Sequence, residues 1–278
     1  MDHASDEPRV PLRRVCWQGR TRHEDTDEVV REEPMEIRIG GIPVAVVMRT
    51  PGHDEELTLG FLTTEGVIDG PDAVASVRHC SVVEDPEAEG NVVQVVLRPQ
   101  IEVDWARLRR NLYASSSCGI CGKATLDQVM VRHEPLEDET RIDVSRLYGL
   151  VDQLEAAQTV FARTGGLHAA GLFDAEGQVL VVREDVGRHN AVDKVVGWAL
   201  AQGRVPLRGH VLMVSGRVSY EITLKAVAAG IPVLAAVSAP SSLAVELAER
   251  ANLTLAAFLR GERLSVYARA ERIVSDVD

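Results

Sequence analysis

The chain has 278 residues, 45% of them hydrophobic and 26% charged, enough for one large domain or two modest ones around a sizeable core. A formal net charge of -12 excludes the broad basic surface that a nucleic-acid backbone requires, although a local basic patch can still hold one phosphorylated ligand. No stretch reaches the ~20 apolar residues of a membrane span, and the acidic start MDHASDEPRV is unlike a secretory leader, so a cytoplasmic setting without nucleic-acid or membrane partners is expected.

Up to residue 30 there is no sustained period, and the charge-dense RTRHEDTDEVVREEP reads as an irregular arm or an edge strand. MEIRI and IPVAVVMRT are β-type runs joined by Gly40-Gly41, a two-residue hairpin signal, and DEELTLGFLTTEGVI follows with Leu57, Phe61 and Leu62 at helical spacing behind an acidic start. ASVRHCSVV and NVVQVVLRP add two alternating runs around the acidic loop EDPEAEG, and DWARLRRNLYASSS reads as a helix running out into SSSCGICGK. Residues 31–114 are thus expected to form a small, β-rich α+β unit, followed over 115–143 by a cysteine loop and a polar connector.

From residue 144 the pattern changes to strand-loop-helix units. VSRLYGLVDQLEAAQTVFARTGG reads as one amphipathic helix stopped by glycines, AAGLFDAEGQVLVVRED as a hairpin, and VGRHNAVDKVVGWALAQG as a helix capped by Gly203. HVLMVS and IPVLAAVS read as buried strands, YEITLKAVAAG and SLAVELAERAN as helices, and LTLAAFLRGERLSVYA as a final strand pair. Such alternation predicts an α/β domain over 144–278, with a largely parallel sheet and helices on both faces. Ligands of such sheets sit beyond the carboxyl ends of the strands, which here are VREDVGRHN, SGRVS, SAPSS and FLRGER. Each places Gly, Ser or Arg where a helix or turn begins, and together they suit a phosphorylated, nucleotide-like ligand. Arg188 and His189 at a helix start are expected to face it. Arg217, Arg260 and Arg263 are the better phosphate candidates because a guanidinium matches phosphate bidentately. Lys225, mid-helix, reads as solvated, and His168 either lines the pocket or serves the core.

Four cysteines in a reducing compartment are not a disulfide framework. Cys16 and Cys80 stand alone in alternating apolar contexts and read as small buried side chains. Cys118 and Cys121 are paired, and three chemistries fit them. A structural zinc needs four ligands, and this chain offers one pair unless His168 or a second copy contributes. Dithiol redox chemistry matches the spacing but lacks a βαβ context. Sulfur carriage as a persulfide suits small neighbours, flexible glycines and Lys123, which favours a thiolate.

SSSCGICGK, GGLHAAGLF, REDVGRHNAVDKVVG, SGRVSYEITLKAVAAGIPVLAAVSAPSSLAVELA and LTLAAFLRGERLSVYA, in this order, resemble the motifs of the formate dehydrogenase accessory sulfurtransferase family, FdhD. The resemblance covers most of residues 34–270. It implies a cytoplasmic sulfur carrier that takes persulfide sulfur from a cysteine desulfurase onto Cys118, with Cys121 as accessory. The sulfur would pass to the molybdenum cofactor, bis(molybdopterin guanine dinucleotide), before that cofactor enters formate dehydrogenase. The family match assigns the guanine-dinucleotide contacts to Phe258, Leu259, Arg260, Gly261, Glu262 and Arg263, where a GDP-like nucleotide would also fit. It further implies a homodimer, no protein-bound zinc, and a cytidine-deaminase-like three-layer α/β/α main domain. Deaminase chemistry itself needs a His-x-Glu, and His168-Ala169-Ala170 lacks the glutamate. A non-catalytic cofactor-binding chaperone is the alternative.

Overall fold

The computed structural model describes residues 7–80, 88–105, 108 and 134–275. Its first element is a regular hairpin where an irregular arm or an edge strand was expected. Strands β1 (Arg9–Gln18) and β2 (Thr21–Val30) pair antiparallel along their whole length around Gly19, whose left-handed φ of 61° glycine adopts without strain. Both faces of this hairpin meet solvent: Trp17 is 63% exposed and Cys16 is exposed rather than buried. Cross-strand charge pairs such as Arg14 with Asp25, 2.8 Å, take the place of packing on a core. The base of the hairpin meets the body where Arg163 pairs with Glu28 at 2.8 Å.

Strands β3 (Glu33–Ile39) and β4 (Ile42–Arg49) form the hairpin expected at Gly40-Gly41, and with β5 (Val74–His79) and β6 (Val92–Leu97) they make a sheet of order β4-β3-β6-β5. Its period-two apolar face, with Met35, Ile37, Val93 and Val95, closes over Leu57 and Leu62 of helix α1 (Asp54–Thr64). Cys80, half-buried, lies just past β5.

The single helix expected over residues 144–164 is broken into α2 (Val144–Tyr148), α3 (Leu150–Ala157) and α4 (Phe161–Thr164). Gly149 separates the first two, and the Glu184 carboxylate accepts the Val160 and Phe161 amides at 3.0 and 2.7 Å, starting α4 afresh. A short strand before α2, β7 (Ile142–Asp143), will pair with the last strand. Then come β8 (His168–Phe173), β9 (Val179–Asp185), α5 (Arg188–Ala201), β10 (Val211–Val214), α6 (Tyr220–Ala228), β11 (Val233–Ala236), α7 (Ser242–Arg250), β12 (Thr254–Arg260), β13 (Arg263–Ala268) and β14 (Ile273–Val274).

The main sheet has the order β13-β12-β11-β10-β8-β9. It is mixed rather than largely parallel: β10-β11 and β11-β12 are parallel, while β8 lies antiparallel to both β9 and β10, and β13 antiparallel to β12. The reason lies in the connections, since the short turns of β8-β9 and β12-β13 allow only antiparallel pairing and helical crossovers serve the centre alone. Helices α5, α6 and α7 cover one face around Leu172, Leu212, Leu234 and Leu255, and α2 and α3 cover the other around Phe173, Met213 and Ala235. The result is three layers.

Helices α1 and α5 cross with their backbones touching. A Cβ on Gly60 would overlap the Asp193 carbonyl, and one on Gly197 would overlap the Glu56 carbonyl. Charged groups are sealed around this crossing. Lys225, expected in solvent, is 8% exposed, because α6 packs over both helices and directs its ammonium at Asp193, 2.8 Å, and at the Thr64 hydroxyl, 2.9 Å. The Asp193 charge holds the Lys225 ammonium above its ordinary value even though burial, the largest single influence, opposes it. A second sealed pair, Lys194 with Asp185 at 2.8 Å, also binds Thr50 beyond β4, whose carbonyl accepts from Lys194 at 2.9 Å and whose amide donates to Asp185 at 3.2 Å.

Candidate functional site at the strand-end rim

Strand directions decide what shares an edge. Because β8 opposes β9 and β10, and β13 opposes β12, the carboxyl ends of β9, β10, β11 and β12 meet the amino ends of β8 and β13 on one rim. The segments VREDVGRHN, SGRVS, SAPSS and FLRGER all lie there. So do the N-termini of α5, α6 and α7, whose free amides and dipoles favour anions. Two serines in these loops are caps: Ser219 accepts from the Ile222 amide and Ser241 from the Ala244 amide.

Three of the expected residues converge at the start of α5. His168, first in β8, sits opposite Asp185, last in β9. Gly216 follows β10, and a Cβ there would stand 3.4 Å from His168 Nδ1 and 3.9 Å from Arg188 Cδ, so the glycine leaves a gap between the imidazole and the arginine stem. Burial first, then the charges of Arg188 and His189, hold His168 below its ordinary value and favour the neutral ring. His189 Nε2 lies 3.0 Å from Glu221 Oε2 and 3.4 Å from Ser219 Oγ. Burial is the largest influence on Glu221 and would raise it, yet the hydrogen bond and charge of His189, the Ser219 hydroxyl and Arg188 together hold it below the usual carboxylate range. The helix start that carries Arg188 and His189 is set by the first unit: Asn190 donates to the Met48 carbonyl at 2.7 Å, and the Val186 amide donates to the Thr50 hydroxyl at 3.2 Å.

The β12-β13 turn forms the other wall. Phe258 adopts a left-handed φ of 57° at a register shift, and its amide donates to the Ser238 carbonyl at 3.3 Å. Its ring meets that of Tyr267, centroids 6.3 Å apart. Leu259 turns inward and is 1% exposed, which leaves only its backbone to a ligand. Gly261, φ 53°, and Glu262 make the turn, so Arg260 and Arg263 become direct cross-strand partners, both exposed. Like charges opposite one another disfavour the pair by up to about 1 kcal/mol, a cost that a bound anion removes. Arg217 is exposed in the neighbouring loop, and none of these three arginines has a salt-bridge partner among the described residues.

Cys118, Cys121 and Lys123 lie outside the described residues. Their flanks are placed. Leu108 is buried in the cluster that holds Leu200, at the far end of α5, and the Leu136 amide donates to the Ala251 carbonyl at 2.9 Å, ahead of β12. Both flanks therefore stand at the end of the unit opposite the rim, and residues 134–139 wall a cleft of about 990 Å³ there with Arg208 and Asn252.

Residues 30–274 match the model of the FdhD/NarQ family. The chain belongs to that family. It is 54% identical over 255 residues to the sulfur carrier protein FdhD of Mycolicibacterium paratuberculosis, with 89% of this chain and 92% of the relative covered. Against the protein of the same name from Mycobacterium tuberculosis it is 51% identical, covering 91% and 97%. A solved structure described as that of a formate dehydrogenase accessory protein from Desulfotalea psychrophila superposes with a TM-score of 0.76 at 25% identity, covering 96% of this chain and 99% of that one.

Glu221 is the rim residue that sequence reading missed for this FdhD/NarQ chain. Its signal was an acidic residue in the first turn of α6, ordinary at a helix start, whereas its partner His189 is on another helix. Asp185 and Lys194, which fix the loop under the rim, were missed for the same reason. No described helix is long and apolar enough to cross a membrane.

Proposed function

We propose that the chain is a sulfur carrier that accepts persulfide sulfur from a cysteine desulfurase and hands it to bis(molybdopterin guanine dinucleotide) before that cofactor enters formate dehydrogenase. Membership in the FdhD/NarQ family, at about half identity to relatives named sulfur carrier proteins, carries this reading. In the loading step the Cys118 thiolate attacks the outer sulfur of the donor persulfide. A new sulfur–sulfur bond forms on Cys118 and the donor cysteine leaves as a thiolate. Cys121 lies three positions on and is available to relay or protect that sulfur.

The cofactor, as substrate, would dock its guanine nucleotide ends on the rim, with Arg260, Arg263, Arg217 and Arg188 meeting phosphate and the Phe258–Tyr267 pair offering an apolar wall. The three-layer unit would be akin to cytidine deaminases in fold, working as a cytoplasmic homodimer without zinc. Intact-protein mass spectrometry after incubation with a cysteine desulfurase and cysteine tests the loading step. A thiol-reversible gain of about one sulfur, present in wild type and Cys121→Ala and absent in Cys118→Ala, is expected. No gain in any form would move the reading to a cofactor-binding chaperone whose cysteines carry no sulfur.

A further inference from the structure

Glu221 has a place in the rim that its sequence context did not announce. A carboxylate can only accept hydrogen bonds, so the His189 nitrogen facing it at 3.0 Å, Nε2, must carry the hydrogen whether the ring is neutral or charged. Ser219 reinforces this arrangement: its hydroxyl lies 3.4 Å from the same nitrogen and 3.4 Å from the same carboxylate oxygen while it caps α6. The geometry is therefore built into the first turn of a nine-residue helix that α1 and α5 hold in place.

Two shielded atoms beside this pair lack hydrogen-bond partners among the described residues, Glu221 Oε1 and Arg188 Nε. One is an acceptor and the other a donor. Leaving the Arg188 donor unmade in a folded protein is costly, and a ligand that offers an acceptor there, such as the phosphate of a nucleotide, relieves it. The missing side chain at Gly216 keeps a methyl-sized space open between His168 and Arg188.

We propose that Glu221 is a positioning residue of the rim: by holding His189 with its hydrogen on Nε2, it reserves Nδ1 for the bound nucleotide. Neutral His189 then accepts a ligand hydroxyl at Nδ1, and the imidazolium donates there to phosphate. This rests on the reading of the rim as a nucleotide site.

A double-mutant cycle on the full chain tests it, with GDP binding followed by calorimetry and the imidazole N–H protons followed by NMR. Wild type is expected to show a protected, downfield Nε2–H resonance that disappears in Glu221→Ala. Glu221→Ala and His189→Ala are each expected to weaken GDP by about tenfold, and the double variant to bind no worse than His189→Ala alone. Should Glu221→Ala not fold, Glu221→Met, close in volume and unable to accept from Nε2–H, takes its place in the cycle. Additive losses, or unchanged affinity in the Glu221 variant, overturn the positioning role while leaving the nucleotide site standing. Absence of GDP binding by wild type removes the nucleotide reading, and the positioning role with it.

Discussion

Beneath the rim and on the rim the chain uses the same residue types in opposite ways. Lys194 and Lys225 are sealed from water and bonded to Asp185 and Asp193, and Arg49, 2% exposed, grips Asp54 through two nitrogens at 2.9 and 3.0 Å. On the rim, Arg217, Arg260 and Arg263 stand in solvent without a salt-bridge partner among the described residues. The first group fixes how α1, α5 and α6 meet, because a buried charge tolerates only one arrangement of neighbours. The second is free to meet a ligand, since an exposed guanidinium loses little hydration until a phosphate replaces it. Charge alone did not separate framework from site; partnership and burial did.

The sharpest way to break that contrast is to leave one buried charge alone. Asp193→Ala strands the Lys225 ammonium and should cost roughly 3–5 kcal/mol in urea unfolding. Pairing Asp193→Leu with Lys225→Met should recover most of it, because apolar groups of similar volume replace a buried ion pair with little loss. If the double variant is no better than the single, the sealed pair does more than fill space and balance charge. Arg260→Ala with Arg263→Ala should do the reverse, changing stability by no more than about 0.5 kcal/mol while weakening GDP, read by calorimetry, by about tenfold or more. A large drop in melting temperature in that variant would place these arginines with the framework.

The smallest effect concerns His168, which belongs to both regions. Its folded-state value lies below the ordinary 6.5, through burial first and the Arg188 and His189 charges second. The unfolded chain therefore binds the proton more readily. Stability from the neutral ring is complete above about pH 6.5 and is lost as pH falls below it. His53, lowered chiefly by burial and then by Arg183, acts in the same direction. Wild type should lose stability as pH falls below about 6.5, and His168→Gln should lose measurably less in thermal melts. Equal slopes would mean that the His168 ring is solvated.

Much of the fold was legible because its signals are local. Gly40-Gly41, Gly203 and the capping serines Ser219 and Ser241 each act on their own neighbours, and the turns fall where those residues stand. The first thirty residues misled for an equally physical reason: charge density usually marks unstructured chain, but here opposite charges face each other across two strands and support a hairpin wet on both faces. The broken helix over 144–164 depended on Glu184, which arrives from β9 to cap its third piece, and no periodicity reveals a cap supplied from another element.

The sequence by itself determined the family, the order of the strand-loop-helix units and the short segments that end on the rim, since motifs and turn residues work through neighbours in the chain. Only the tertiary structure decided that Lys225 is buried, that Leu259 turns inward between two ligand candidates, and that Glu221 faces His189 from a different helix. Those facts depend on which faces of distant elements are pressed together, and that is set by the summed burial of the whole core rather than by any one stretch of sequence.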